Sequence, residues 1–142
     1  MDTSVLVAGI AAFKGADFGP LVSSAKMLRE WIDGQTFTWL VNEEIVDEYK
    51  AVLSRRKVRP NLIAATISLI RSAAEEVPQA AGHDLSPDPF DQPFCICAEK
   101  GNADFIVTLN RRDFPQQKLK AHVIGPDDAI PTTARKHPRV TY

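Results

Sequence analysis

Four carboxylates stand where a fold could gather them: Asp2 at the start of the chain, Glu48 in a helix following a strand, Asp91 at a helix start and Asp113 in a loop after a strand. Oxygen donors of this kind suit a hard divalent cation, and Mg²⁺ is commonly held by one or two carboxylates with water and phosphate oxygens. Carboxylates crowded into one crevice raise one another's pKa unless a cation offsets them. A bound cation also activates a water and neutralises phosphate charge. Taken singly, each acid has a plainer role as helix cap, turn former or solvated helix residue, so the chemistry rests on the set. Thr3 and Ser4 are capping hydroxyls that could also hold a water beside Asp2. Arg111 and Arg112 lie between Asn110 and Asp113, a placement that suits a backbone phosphate next to a cation.

Other chemistries lack their residues. Cys95 and Cys97 are too close for a stable disulfide, miss the Cys-x-x-Cys spacing and read as two small hydrophobes in a helix. His83, His122 and His137 are scattered, which leaves no zinc site or hydrolytic triad. No glycine-rich phosphate loop or dinucleotide fingerprint occurs.

The elements that must position the acids follow from periodicity. Residues from Asp2 read as the end of a strand turning into a helix. Pro20 suits the first turn of a helix over Leu21–Ile32, which Asp33-Gly34 stops. Phe37–Val41 is aromatic and β-branched, hence a strand. Asn42 caps the next helix, which has Glu43 and Glu44 in its first turn and runs to about Arg56. Ile45, Tyr49, Val52 and Leu53 form its inner face. Glu48 shares that face, whereas Glu43 and Asp47 turn toward solvent. A further helix spans about Pro60 to Ala74, and Val77-Pro78 reads as an edge strand. Gln79–Pro89 is a loop. An apolar helix then runs from Asp91 to Gly101, followed by strands at Phe105–Leu109 and His122–Ile124. The tail from Pro131 has no pattern and reads as frayed. Strands alternating with helices imply a mostly parallel central sheet covered on both faces. The expected architecture is a three-layer α/β/α domain over residues 1–130 with a C-terminal tail over 131–142.

The totals agree with one soluble domain: 142 residues, 44% apolar, 25% charged. A net charge of −1 announces no overall basic field, although it can hide an acidic site beside basic rims. Basic residues do gather locally, at Arg55–Arg59, Arg111-Arg112 and Arg135–Arg139. No apolar run approaches membrane-spanning length, no signal peptide opens the chain, and two cysteines fit a reducing cytoplasm.

Together these pieces resemble the PIN domain, and within it the toxin-type proteins of prokaryotic toxin–antitoxin pairs, the VapC-like ribonucleases. Asp2-Thr3-Ser4-Val5-Leu6-Val7 resembles the opening motif with its first metal-binding acid. Asn42-Glu43-Glu44-Ile45-Val46-Asp47-Glu48-Tyr49 resembles the second, with its acid at Glu48. Asp88-Pro89-Phe90-Asp91 with the following helix and Gly101–Asp104 resembles the third, with its acid at Asp91. Thr108–Pro115 resembles the fourth, in the branch reading T-x-N-x-x-D-F-P. Four motifs in order cover about residues 2–125.

The resemblance implies a metal-dependent endoribonuclease using Mg²⁺ or Mn²⁺, acting on RNA in the cytoplasm and commonly a homodimer held by a cognate antitoxin. Asp2, Glu48, Asp91 and Asp113 would be its catalytic and metal-holding residues, with Ser4, Asp88 and Asn110 behind them and Arg111 and Arg112 on the RNA phosphate. The alternative is a PIN fold kept as a catalytically weak binding module acting through antitoxin or RNA. In this family several apolar residues before the first acid form the central strand. Here only Met1 precedes Asp2, which points to a start assigned late or a truncated chain; were the short start native, the missing strand would leave a sheet edge exposed and destabilise the site.

Overall fold

Apolar residues ring Thr3–Ala12 (α1), and a helix of that kind belongs inside a protein. Val5, Leu6, Ala8 and Ile10 are buried, and α2 (Gly19–Gly34) packs so closely at Gly9 that any side chain there would run into Leu28. The computed structural model describes residues 3–12, 19–34, 37–78, 92–128 and 139–141. No helix among the described residues is long and apolar enough to cross a membrane.

The aromatic, β-branched run gives β1 (Thr38–Val41). Asn42 then starts α3 (Glu43–Arg55), whose buried stripe is Ile45, Val46, Tyr49 and Leu53. Val52, expected inside, is only half-buried, and Val46 takes its place in the core. α4 (Pro60–Ala73) folds back along α3, so that Arg71 near its end pairs with Glu43 at the start of α3. The edge strand β2 is Glu75–Glu76, just before the predicted Val77-Pro78. Proline cannot donate to a ladder, so pairing ends ahead of Pro78, with the Val77 N–H donating to the Val41 carbonyl at 2.7 Å. α5 (Gln92–Lys100), β3 (Phe105–Val107) and β4 (His122–Ile124) follow.

Five strands, all parallel, form one sheet in the order β2-β1-β5-β3-β4, where β5 is Arg139–Thr141. This corrects one expectation: the tail is not frayed at residues 139–141, which supply a strand in the middle of the sheet. Val140 and Thr141 are fully buried, and β5 pairs with β1 on one side and β3 on the other. The alternation that reveals a strand in a longer run is invisible in three residues, one of them arginine. What fixes the segment is tertiary. The Arg139 N–H donates to an Asp104 carboxylate oxygen at 2.7 Å, and the Asp104 N–H donates back to the Arg139 carbonyl at 2.7 Å.

Helices lie on both faces, giving the expected α/β/α arrangement. Trp39 meets Trp31 of α2 edge-on with ring centroids 4.6 Å apart. Its neighbour Leu40, on the opposite face of the pleat, meets Gly101 at the end of α5. Tyr49 extends the aromatic contact from Trp39 to Phe94, tying α3 and α5 to the same core.

Candidate active site

Because every strand runs the same way, the carboxyl ends of β1 and β3 open on one edge of the sheet, which is where an open α/β sheet holds its ligands. After β1, the buried Asn42 accepts a hydrogen bond from the Ile45 N–H at 2.8 Å and caps α3 as its sequence predicts. That cap sets the phase of the helix. Glu48 is half-buried, while Glu43 and Asp47 are exposed. Arg71 donates to both Glu43 carboxylate oxygens, at 2.6 and 3.2 Å, and holds that carboxyl below its ordinary pKa.

After β3, the buried Thr108 hydroxyl accepts from the Asn110 N–H at 2.9 Å, turning the chain into a short 3-10 turn over Arg111–Asp113. The Asp113 N–H donates to the Asn110 carbonyl at 3.1 Å and the buried Phe114 closes the turn. Asp113 is half-buried and Asn110 exposed. Arg111 pairs with Asp128, whose same oxygen accepts from the Gly125 N–H at 2.8 Å. Arg112 is exposed, with no ion-pair partner among the described residues.

Ser4, in the first turn of α1, accepts from the Leu109 N–H at 3.4 Å. The start of α1 therefore meets the carboxyl end of β3, one residue before Asn110 and the turn that follows. Asp2, Asp88 and Asp91 lie outside the described residues. Among the described residues no three His, Cys, Asp or Glu side chains form a cluster that could hold a metal. Two of the expected acids that are described, Glu48 and Asp113, carry the carboxylate oxygens that a hard cation takes. The buried Thr3 hydroxyl at the start of α1 has no hydrogen-bond partner among the described residues. A buried hydroxyl left in that state costs about 1–3 kcal/mol, which a water or ligand at this edge would relieve.

From sequence, Thr108 stands out only as the first residue of the fourth motif, and Asp128 does not stand out at all. Thr108 carries a readable signal, a hydroxyl two residues before an asparagine in a turn. Asp128 carries none, because only the fold returns it to Arg111.

A family model described as the PIN domain matches residues 1–112. Comparisons with curated proteins and with solved structures return no match. The match runs from the start of the chain to Arg112, inside the turn that follows β3, and stops one residue before Asp113. The chain belongs to the PIN domain family, whose members are generally nucleases and usually use divalent metal ions.

Proposed function

We propose that this protein is a metal-dependent endoribonuclease hydrolysing RNA phosphodiester bonds, and that it is the toxin of a toxin–antitoxin pair. The observation that carries the assignment is the Ser4–Leu109 hydrogen bond. It sets the start of α1, just after Asp2, beside the turn bearing Asp113, on the sheet edge where α3 begins its run to Glu48.

Asp2, Glu48, Asp91 and Asp113 would hold Mg²⁺ or Mn²⁺. When bound, such a cation activates a water and offsets charge on the attacked phosphate. The protein's own part is positional. The Asn42 cap fixes the phase that brings Glu48 toward the core, and Phe114 pins the turn that carries Asp113. Arg112, exposed beside Asp113, would meet a phosphate oxygen, and Arg111, oriented by Asp128, would offer its remaining N–H groups. Ser4, Asp88 and Asn110 orient the carboxylates and their waters. A cognate antitoxin and a homodimeric state belong to the same assignment, as does a cytoplasmic setting where RNA is met.

The test is Mg²⁺ and Mn²⁺ titration against an RNA substrate, with Asp2→Asn, Glu48→Gln, Asp91→Asn and Asp113→Asn beside Asp47→Ala. Each of the four should lower cleavage by at least about 100-fold, and Asp47→Ala should leave it near wild type. A loss no larger for Asp91→Asn than for Asp47→Ala removes Asp91 from the set. RNA binding without cleavage at any metal concentration supports the binding module instead.

A further inference from the structure

From Tyr49 to Ala74 the chain has no carboxylate, yet it carries Lys50, Arg55, Arg56, Lys57, Arg59 and Arg71. Arg71 is taken up by Glu43. Arg55, Arg56, Lys57 and Arg59 crowd the turn between α3 and α4, all exposed, and none has an ion-pair partner among the described residues. A chain of net charge −1 thus presents a bare cationic tip. The plain explanation, that cations favour a helix C-terminus, accounts for Arg55 and Arg56. It does not account for Lys57.

Lys57 sits at φ 57°, in the left-handed region, just past the end of α3. Its N–H donates to the Ser54 carbonyl at 3.0 Å, and the Val58 N–H donates to Leu53 at 3.1 Å. This is the Schellman ending, whose left-handed position is normally glycine. A lysine there is strained, and strain retained at an exposed tip points to a use for the side chain. Two independent observations, unpaired charge and a strained lysine, fall on the same turn.

We infer that Arg55, Arg56, Lys57 and Arg59 form an anchor for RNA backbone phosphates, separate from the carboxylate edge. The inference rests on the ribonuclease assignment for its choice of partner. α3 starts at the carboxyl end of β1 and runs away from it for 13 residues, so the anchor lies about 20 Å from the Asn42 cap. An RNA engaging both needs about six nucleotides of stacked strand at roughly 3.4 Å each. The anchor therefore favours longer RNA over short oligonucleotides without reading sequence.

The experiment measures binding in EDTA, where no metal-dependent cleavage occurs. Probes are a fluorescein-labelled 20-nucleotide single-stranded RNA, a tetranucleotide of the same composition and poly-glutamate. Wild type is compared with the quadruple alanine variant of residues 55, 56, 57 and 59 and with Lys57→Gly. The quadruple variant should lose most of the preference for the 20-mer, and its salt slope should fall by about 0.7 per phosphate contact removed, up to roughly 3. Lys57→Gly should weaken 20-mer binding several-fold while raising Tm by about 3–5 °C, a combination that a structural role alone does not give. An unchanged salt slope in the quadruple variant overturns the anchor. So does tight poly-glutamate binding that the quadruple variant loses while keeping RNA binding, which makes the tip a dock for an acidic protein. The two proposals fail separately: EDTA binding through the tip with no cleavage in Mg²⁺ or Mn²⁺ sinks the ribonuclease assignment, and cleavage that is indifferent to the tip and to RNA length sinks the anchor.

Discussion

Arg139 of the central strand reaches across β1 to Glu75 on the edge strand, donating to both carboxylate oxygens at 2.9 and 2.6 Å. Its third nitrogen, Nε, donates to the Gly101 carbonyl at 3.0 Å, at the end of α5. One guanidinium therefore ties the middle of the sheet to its edge and to the helix that lies over it. Its importance follows from topology. Among the described residues β1 pairs only with β2 and β5, and β3 only with β4 and β5. The half-sheet leading to Glu48 and the half-sheet leading to Asp113 meet through three residues.

Replacing Arg139 by alanine is expected to cost about 1–2 kcal/mol. Glu75 is half exposed, so solvent screens its share, and much of the loss comes from the Gly101 contact. Arg139→Lys should recover little, because an ammonium cannot make the forked contact. Arg139 holds the Glu75 carboxyl below its ordinary value of 4.5. A depressed carboxylate contributes stability above its unfolded pKa and loses it as pH falls through the folded one. Urea denaturation should therefore show the gap between wild type and Arg139→Ala narrowing below about pH 4.5.

Cys97 predicts a loss at the other end of the pH scale. Burial pushes its thiol from 9.0 up to about 11, partly offset by a hydrogen bond with Thr141 of β5. Between those values the unfolded chain has released a proton that the folded chain still holds, so stability falls as pH rises through the window. The full effect is about 3 kcal/mol at most. Cys97→Ala should flatten the slope between pH 9 and 11 in denaturation curves, and native Cys97 should resist alkylation at pH 8.

Gly101→Ala should be among the costlier single-methyl additions in this fold. A Cβ there would lie 2.8 Å from Leu40 Cδ1, 2.9 Å from the Cys97 carbonyl oxygen and 2.9 Å from Val77 Cγ2. The carbonyl belongs to backbone that cannot yield, so a loss of about 2–3 kcal/mol is expected in thermal or urea unfolding. The left-handed position ending α5 is the next residue, Asn102 at φ 50°. Asn102→Gly should therefore be neutral or stabilising.

Asn42→Ala removes the cap that sets the phase of α3. The side chain is buried and accepts from Ile45 at 2.8 Å, so about 1–2 kcal/mol should be lost. Asn42→Ser should restore most of it. If Glu48 acts from this helix, RNA cleavage by Asn42→Ala should fall more than its unfolded fraction explains, measured well below its Tm.

The elements with strong local signals were legible in the sequence. Asn42, the buried stripe of α3 and the runs at β1 and β3 each state their structure within a few residues. Glu48 on the inner side of α3 followed from spacing alone. β5 was not legible, because Arg139-Val140-Thr141 has neither length nor alternation and becomes a strand only through Asp104, β1 and β3. The partner of Arg111 was equally hidden, since Asp128 lies 17 residues away with no periodic relation to it. At the site, residue types were readable, but the meeting of Ser4 with Leu109 across 105 residues was not.

A chain built this way cannot finish its sheet while it is still being translated through residue 138. Domains fold as units, starting from the end made first, yet here the first-made strand waits for a partner 101 residues later, with Leu40 accepting from the Thr141 hydroxyl at 3.4 Å. Pairing over such separations is slow. A product of interrupted synthesis would lack the strand that pairs with both β1 and β3, leaving side-chain packing such as Tyr49 on Phe94 to hold the two half-sheets together. If the carboxylate edge cuts RNA, a chain ending before residue 139 should cut it less well than one that carries β5.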